Sequence, residues 1–432
     1  MVYHGLKTDL YELTMAQIYL DKGLTKRAVF SLYVRKLPKE RNFLVVGGVN
    51  RLLEELTNFK FSKEELLYLK SLKLFKDWFL DWLEAFSFNG NIYAIPEGRI
   101  VFYEEPIVQI EADLPTAQIL ETFVINRVHI GTVLASKAAR IYSVAQDKIL
   151  VDFGCRRAHG FEAANVAAYC ALLAGWHATS NLEAGKLYDL PVSGTMAHSY
   201  VMVLGEEEAF KEFYKHYPDR AIYLIDTYDV IKAAELTLEL AKKGYKPIGV
   251  RIDSGDIPTL VKKVRELLDR NGFTDIKIIV SGGVDEYVIE RWKELPIDGY
   301  GVGTKFVTSA DRPYLDMAYK LVEYAGQPKF KLSEGKRTYP FKKQVFRFYS
   351  SGKFHYDFVT KYGTEVEGEP LVEKIMEKGQ LLKEKENWKI ARERFLSDFE
   401  RLPEHLKTLQ KGEYEVQIDP QLEPVDGYSN RE

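Results

Sequence analysis

Cysteine is nearly absent from this chain of 432 residues, where only Cys155 and Cys170 occur. Two thiols exclude a disulfide framework and a multi-cysteine zinc site, and they fit a reducing cytoplasm. A dominant charge sign is missing too. The 60 basic and 63 acidic side chains leave a formal charge of -3, so no general attraction to nucleic acid or to an anionic membrane is expected, and any phosphate binding has to be local. No apolar run approaches the roughly 20 residues needed to span a bilayer, and the opening MVYHGLKTDLYELT lacks the basic-then-apolar order of a secretory signal. A soluble cytoplasmic protein is expected. Internal repeats and low-complexity tracts are absent as well. So are the phosphate loop GxxxxGK[ST] and the dinucleotide fingerprint GxGxxG, which disfavours a Rossmann dehydrogenase.

What is present is a hydrophobic content of 46%, enough for a large core with satellite domains. Up to about Leu120 the pattern is mixed: Arg27 to Val34 and Ile107 to Ile110 read as strands, while Leu66 to Phe86 and Leu114 to Ala145 read as helical. From Lys148 short apolar runs alternate with helical segments. The runs are Ile149 to Phe153, Trp176 to Thr179, Pro191 to Thr195, Ile222 to Asp226, Pro247 to Asp253, Ile276 to Val280, Gly299 to Val302 and Leu315 to Val322. Eight βα units predict an α/β fold built on an irregular (β/α) barrel, with an open doubly wound sheet as the alternative. An N-terminal α+β domain over 1–125, the barrel over 126–325 and a small C-terminal domain over 326–432 complete the expected organisation. The C-terminal part carries a strand-like run at Gln344 to Tyr349 and a charged helix near Trp388 to Glu400, and its tail from Pro420 reads as poorly ordered.

Polar residues fall where barrel strands end. Arg156 follows the first run, Ser180 and Asn181 the second, and His198 the third; Asp226 and Asp253 end the fourth and fifth. Glycines Gly282, Gly283, Gly301 and Gly303 flank the sixth and seventh. The carboxyl ends of barrel strands converge on one face, so these residues form one candidate site. Each taken singly has a plainer role, since Asp at a strand end also caps the next helix. The glycine loops would expose backbone N–H groups to a sugar phosphate, or serve as simple turns. His198, with carboxylates at adjacent strand ends, has the makings of an oriented base or nucleophile. Asp226 and Asp253 could equally hold Mg²⁺. Phe153 and Arg156 offer an aromatic face and a guanidinium to a flat anion, or a core ring and a surface ion pair. Tyr11 reads first as an ordinary helix-face aromatic.

The motifs TDLYELTMAQ, DFGCRRAHG, GTMAHSYV, IDTYDV and VRIDSGD, in this order, resemble nicotinate phosphoribosyltransferases over roughly the first three quarters of the chain. That resemblance implies a homodimer with active sites at the interface. It implies transfer of a phosphoribosyl group from 5-phosphoribosyl-1-diphosphate to nicotinate in NAD biosynthesis, coupled to ATP hydrolysis through a phosphohistidine. By motif match His198 is the phosphorylated histidine, with Asp226 and Asp253 orienting it or binding Mg²⁺. Phe153 would stack on the pyridine ring and Tyr11, from the second subunit, on its other face. Arg251 and Arg156 would hold the carboxylate or the diphosphate, and the four glycines the ribose phosphate; Arg35 would reach the second subunit's phosphate site. Neutral Asn181, where a nicotinamide enzyme would carry a carboxylate, favours the acid substrate. The rival readings are a nicotinamide phosphoribosyltransferase, a decarboxylating quinolinate enzyme, which would not need the histidine, and a non-catalytic pyridine-nucleotide sensor, which would have lost the His–Asp pair. No relative's cysteine-rich metal knuckle can be built here, and Ala178 replaces a common glycine.

Overall fold

In Arg27–Val34 every residue after the first is buried, and the strand lies inside a seven-stranded antiparallel sheet. Apolar side chains on both faces fit a strand covered from two sides. The computed structural model describes residues 4–145, 147–331 and 338–423. Two compact units divide the chain: Met1–Ser136 with Tyr314–Glu432, and Lys137–Pro313. Where the sequence reads as three consecutive domains, the first unit is discontinuous because the C-terminal segment completes the N-terminal sheet. Met317–Tyr324 pairs with Arg27–Val34, and Glu373–Glu377 pairs with Asn91–Ala94. The last of the eight expected barrel runs, Leu315 to Val322, is therefore corrected: it belongs to this antiparallel sheet. Residues Met317–Tyr324 are all buried or half-buried, as a sheet strand's can be, and nothing local to a strand sequence names its partner.

The rest of the first unit is built from local signals. Lys63–Ser71 begins at a capping box between Ser62 and Glu65, satisfying two otherwise orphaned N–H groups. The helical stretch expected from Leu66 to Phe86 breaks into two helices, with Lys73 at φ 56° between them. The C-terminal residues add a four-stranded sheet around Lys343–Ser350 and Lys353–Lys361, and the helix Trp388–Arg401 capped by Asn387. At the start of the expected loose tail, Pro420–Leu422 forms a 3-10 turn with Leu422 fully buried; the remainder of that tail lies outside the described residues.

One buried carboxyl in this unit makes stability depend on pH. Glu12, on the helix Leu10–Asp21, is fully buried and accepts hydrogen bonds from the Thr8 hydroxyl (2.7 Å) and from the Thr122 backbone N–H (3.0 Å) and hydroxyl. Desolvation nevertheless outweighs these donors and pushes its pKa from 4.5 up to about 7. A raised carboxyl pKa means the folded state holds the proton more tightly than the unfolded chain. The contribution is therefore full below pH 4.5 and lost as pH rises to about 7. Glu12→Gln keeps the shape without the charge. Its stability relative to the parent, read from urea melts, is expected to rise across that window by up to about 3 kcal/mol and then to level off. A pH-independent difference would remove Glu12 as the titrating group.

The second unit is a six-stranded parallel sheet. Its strands are β1 (Ile149–Asp152), β2 (Ala178–Thr179), β3 (Ile222–Leu224), β4 (Gly249–Ile252), β5 (Lys277–Val280) and β6 (Gly299–Val302). Their order is β2-β1-β6-β5-β4-β3, with helices such as Phe161–Leu173, Val230–Lys242 and Ile257–Arg270 between successive strands. The third expected run contributes only a parallel bridge between Thr179 and Val192 beside β2. With the eighth run elsewhere, β1 pairs directly with β6, from Gly299↔Ile149 to Val302↔Asp152. The result is an irregular partial barrel whose strand ends still face one way. No helix among the described residues is long and apolar enough to cross a membrane.

Candidate active site

Strand β1 ends at Asp152, whose carboxylate organises the loop beyond it. It accepts hydrogen bonds from the Gly154 N–H (2.8 Å) and the Thr179 hydroxyl (2.7 Å), and burial pushes its pKa up. The Phe153 N–H bonds to the carbonyl of Val302 at 2.8 Å. Phe153 is thereby fixed to β6, and the 3-10 turn Cys155–Arg157 turns two arginines towards the carboxyl ends of the strands.

There the unit bears an open cavity of about 920 Å³. Phe153, Arg156, His198, Arg251 and Asp253 line it, together with Gly282, Gly283, Gly301 and Gly303. Asp226 lies beneath His198 with a side chain only 2% exposed. One of its oxygens accepts from the Asp253 N–H (3.0 Å) and the Ser254 hydroxyl (2.7 Å). The other, Oδ1, is buried without a hydrogen-bond partner among the described residues and stands 4.0 Å from His198 Nε2. His198 Nδ1 lies 3.1 Å from the Thr227 hydroxyl. The two ring nitrogens thus meet different neighbours, a condition for fixing a tautomer.

Arg251 donates to the Met196 carbonyl at 2.9 Å, and its guanidinium carbon lies 5.9 Å from the Phe153 ring centroid. Desolvation lowers its pKa while Asp253 and Asp226 oppose the shift; an arginine stays charged through such changes. Its Nε is buried and unpartnered among the described residues, leaving donor capacity beside an aromatic face. Asp253 is held in turn by the Ser281 hydroxyl at 2.5 Å.

The glycines have separate reasons. Gly282 (φ 83°) and Gly283 (φ 68°) occupy left-handed backbone, and a Cβ on Gly282 would lie 2.2 Å from the Asp253 carbonyl oxygen. Gly301 has no such backbone need: a Cβ there would meet the Phe153 ring at 2.4 Å.

Three expected residues stand elsewhere. Asn181 is 4% exposed and absent from the cavity lining; its side chain caps the helix Leu182–Tyr188 through Ala184 N–H (3.1 Å) and donates to Asn165 (2.9 Å). A strand-end asparagine before a helix is a capping residue, and its neighbour Ser180 lines the cavity instead. Tyr11 and Arg35 belong to the first unit. Tyr11 is 43% exposed, and Arg35 lies 3.7 Å from Asp316. Thr227, Ser281 and Arg157 carry no role in the sequence although each adjoins a candidate residue, and Lys305 stands two residues beyond Gly303. Adjacency was the available signal.

Residues 6–129 match the model of the nicotinate phosphoribosyltransferase N-terminal domain, and residues 149–357 match that of the nicotinate phosphoribosyltransferase family. A nicotinate phosphoribosyltransferase of Mycobacterium tuberculosis is 41% identical over 421 residues, covering 96% of this chain and 91% of its own. One of Bacillus subtilis is 38% identical over 378 residues, covering 84% and 77%. The crystal structure of human nicotinic acid phosphoribosyltransferase superposes with a TM-score of 0.84 at 24% identity, over 96% of this chain and 98% of that one, and so shares the fold. With similarity running through both units, the chain belongs to the nicotinate phosphoribosyltransferase family, enzymes of NAD biosynthesis and salvage.

Proposed function

We propose that the enzyme joins the pyridine nitrogen of nicotinate to C1 of 5-phosphoribosyl-1-diphosphate, releasing diphosphate, and that ATP drives this through a phosphorylated His198. The single observation carrying the proposal is the buried, unpartnered Oδ1 of Asp226 facing His198 Nε2 at the edge of an arginine-bearing cavity. An unpartnered buried carboxylate oxygen is costly, which suits an atom kept for a proton donor or a cation. With Nε2–H held towards Asp226, Nδ1 keeps its lone pair. It attacks the γ-phosphorus of ATP, and ADP leaves as the bridging bond breaks.

In this reading Phe153 stacks on the pyridine ring, and Arg251 and Arg156 bind the carboxylate and the diphosphate. Glycosyl transfer through an oxocarbenium-like transition state needs placement and charge neutralisation more than a strong nucleophile. No group of three metal-binding side chains occurs among the described residues. Mg²⁺ suits such a site, since it binds through one or two carboxylates plus substrate phosphates; Asp226 and Asp253 would hold it. Its chemistry when bound would be neutralisation of phosphate charge. Gly282 and Gly283, in consecutive left-handed conformations, would offer backbone N–H groups to the ribose phosphate, with Gly301 and Gly303 on the neighbouring loop. The enzyme would work in the cytoplasm as a homodimer, in which the partner subunit's Tyr11 covers the pyridine and the partner's Arg35 reaches the phosphates.

Selectivity for the acid rests on Ser180, the neutral residue that lines the cavity where Asn181 does not. Ser180→Asp would set a carboxylate against the carboxylate of nicotinate, and KM for nicotinate is expected to rise at least about tenfold, the order of one unfavourable charge contact. The test of the whole reading is diphosphate release from 5-phosphoribosyl-1-diphosphate with nicotinate, nicotinamide or quinolinate, each with and without ATP. Turnover on nicotinate, stimulated by ATP, is expected; turnover on nicotinamide instead would reassign the enzyme, and none on any substrate would favour a sensor.

A further inference from the structure

Two loops of the cavity are joined by an ion pair that the proposed reaction leaves without a role. Asp285 follows the Ser281-Gly282-Gly283-Val284 loop after β5, and Lys305 follows the Gly301-Val302-Gly303-Thr304 loop at the end of β6. Lys305 lines the cavity with its side chain 43% exposed, and its Nζ lies 2.7 Å from Asp285 Oδ2. The other oxygen of Asp285 caps the helix Glu286–Trp292, accepting from the Val288 N–H at 2.9 Å. Asp285 is itself only 8% exposed, so its carboxylate is fixed by the fold and the lysine is the half that can move.

We infer that Lys305 is a further substrate-binding residue, an ammonium stationed between the two glycine loops to take the 5-phosphate of the phosphoribosyl donor, with Asp285 as its positioning residue. This deepens the proposed function and rests on it for the identity of the donor. An ammonium has three donors, and a single carboxylate oxygen occupies one of them here. The others are left for an anion at the mouth of the loops. Backbone N–H groups alone bind a dianion through partial charges, whereas a lysine adds a full charge in a partly desolvated place. The ion pair also has an electrostatic logic before substrate arrives. Asp285 offsets the lysine's charge and holds it at the loops, so that placing the ammonium needs no rearrangement when the phosphate enters.

Lys305→Met keeps the length and removes the charge. It is expected to raise KM for 5-phosphoribosyl-1-diphosphate and Kd for ribose 5-phosphate by the same factor, about tenfold to a hundredfold, the range for loss of a charge-assisted hydrogen bond. KM for nicotinate stays within about twofold, because the lost contact lies on the donor. Lys305→Arg should recover most of the loss. Asp285→Asn, which still caps the helix, should weaken ribose 5-phosphate binding by a smaller factor, about threefold. Calorimetry with ribose 5-phosphate needs no turnover. Lys305-dependent binding by a protein that fails to turn over would keep this inference and remove the activity. Normal turnover with ribose 5-phosphate binding unchanged in Lys305→Met would overturn the inference and keep the activity, as would a wild type that turns over but binds no ribose 5-phosphate. A loss confined to the donor, with ribose 5-phosphate unaffected, would move Lys305 to the diphosphate and also overturn it.

Discussion

Asp226→Asn is expected to reduce ATP-stimulated diphosphate release about 10²–10³-fold, the size typical of disabling a positioned acid–base group, and His198→Ala to abolish the stimulation. The argument turns on how the two oxygens of Asp226 are used. Oδ2 accepts from the Asp253 N–H and the Ser254 hydroxyl, so an asparagine there must turn its carbonyl oxygen to those donors. Its NH₂ group then replaces Oδ1, 4.0 Å from His198 Nε2. A donor now faces Nε2, which can only answer with its lone pair. The proton moves to Nδ1, where the Thr227 hydroxyl can accept it as readily as it could donate. The substitution therefore preserves every shape and inverts the tautomer, leaving the nucleophilic nitrogen pointed at a buried amide. Incubation with γ-labelled ATP and recovery of acid-labile label reads this step directly. Labelling of Asp226→Asn at the wild-type rate would sink the tautomer argument, and labelling of His198→Ala would sink the phosphohistidine itself.

His198 follows an exposed to half-buried run and opens the helix His198–Leu204. Asp226 and Asp253 are legible in the sequence because each follows a short buried run, and parallel strands of one sheet deliver their ends to one face whatever their distance along the chain. β6, Gly299–Val302, is readable residue by residue for the same reason. Pairing over long range is not readable in that way. Leu315 to Val322 looks like any buried strand, and only its ladder with Arg27–Val34 places it in the first unit. The direct pairing of β1 with β6 follows from that displacement, and the third run adds only one bridge at Val192, so the sheet is an open partial barrel with β2 and β3 at its edges. Asn181 fails for a different reason. Capping a helix and facing a ligand ask for the same residue type at the same strand end, and the hydrogen bonds to Ala184 and Asn165 decide between them. Lys305 carries no signal in the sequence, because a lysine near glycines is unremarkable without the Asp285 carboxylate that the fold sets opposite it.

Gly301 carries the other large expectation. Gly301→Ala is expected to raise KM for nicotinate at least about tenfold and to lower stability by about 1–3 kcal/mol, the usual cost of overpacking. The added Cβ would stand 2.4 Å from Phe153 Cδ2, 2.5 Å from Cε2 and 3.2 Å from the Ser281 Cβ. Relief by backbone movement is blocked, because Gly301 is paired with Val151 of β1 and the preceding Tyr300 with Val280 of β5. The side chain has to yield, and the Phe153 ring is the face on which the pyridine is proposed to stack and over which Arg251 sits at 5.9 Å. The glycine thus acts on the ring pocket as much as on the phosphate loop it introduces. A double-mutant cycle separates the two roles. If the clash with the ring is the cause, Gly301→Ala costs little further stability or nicotinate affinity once Phe153→Ala has removed the ring. Equal losses in both backgrounds would return Gly301 to a backbone role in the loop, and a rise in KM for the phosphoribosyl donor alone would place that role at the phosphate.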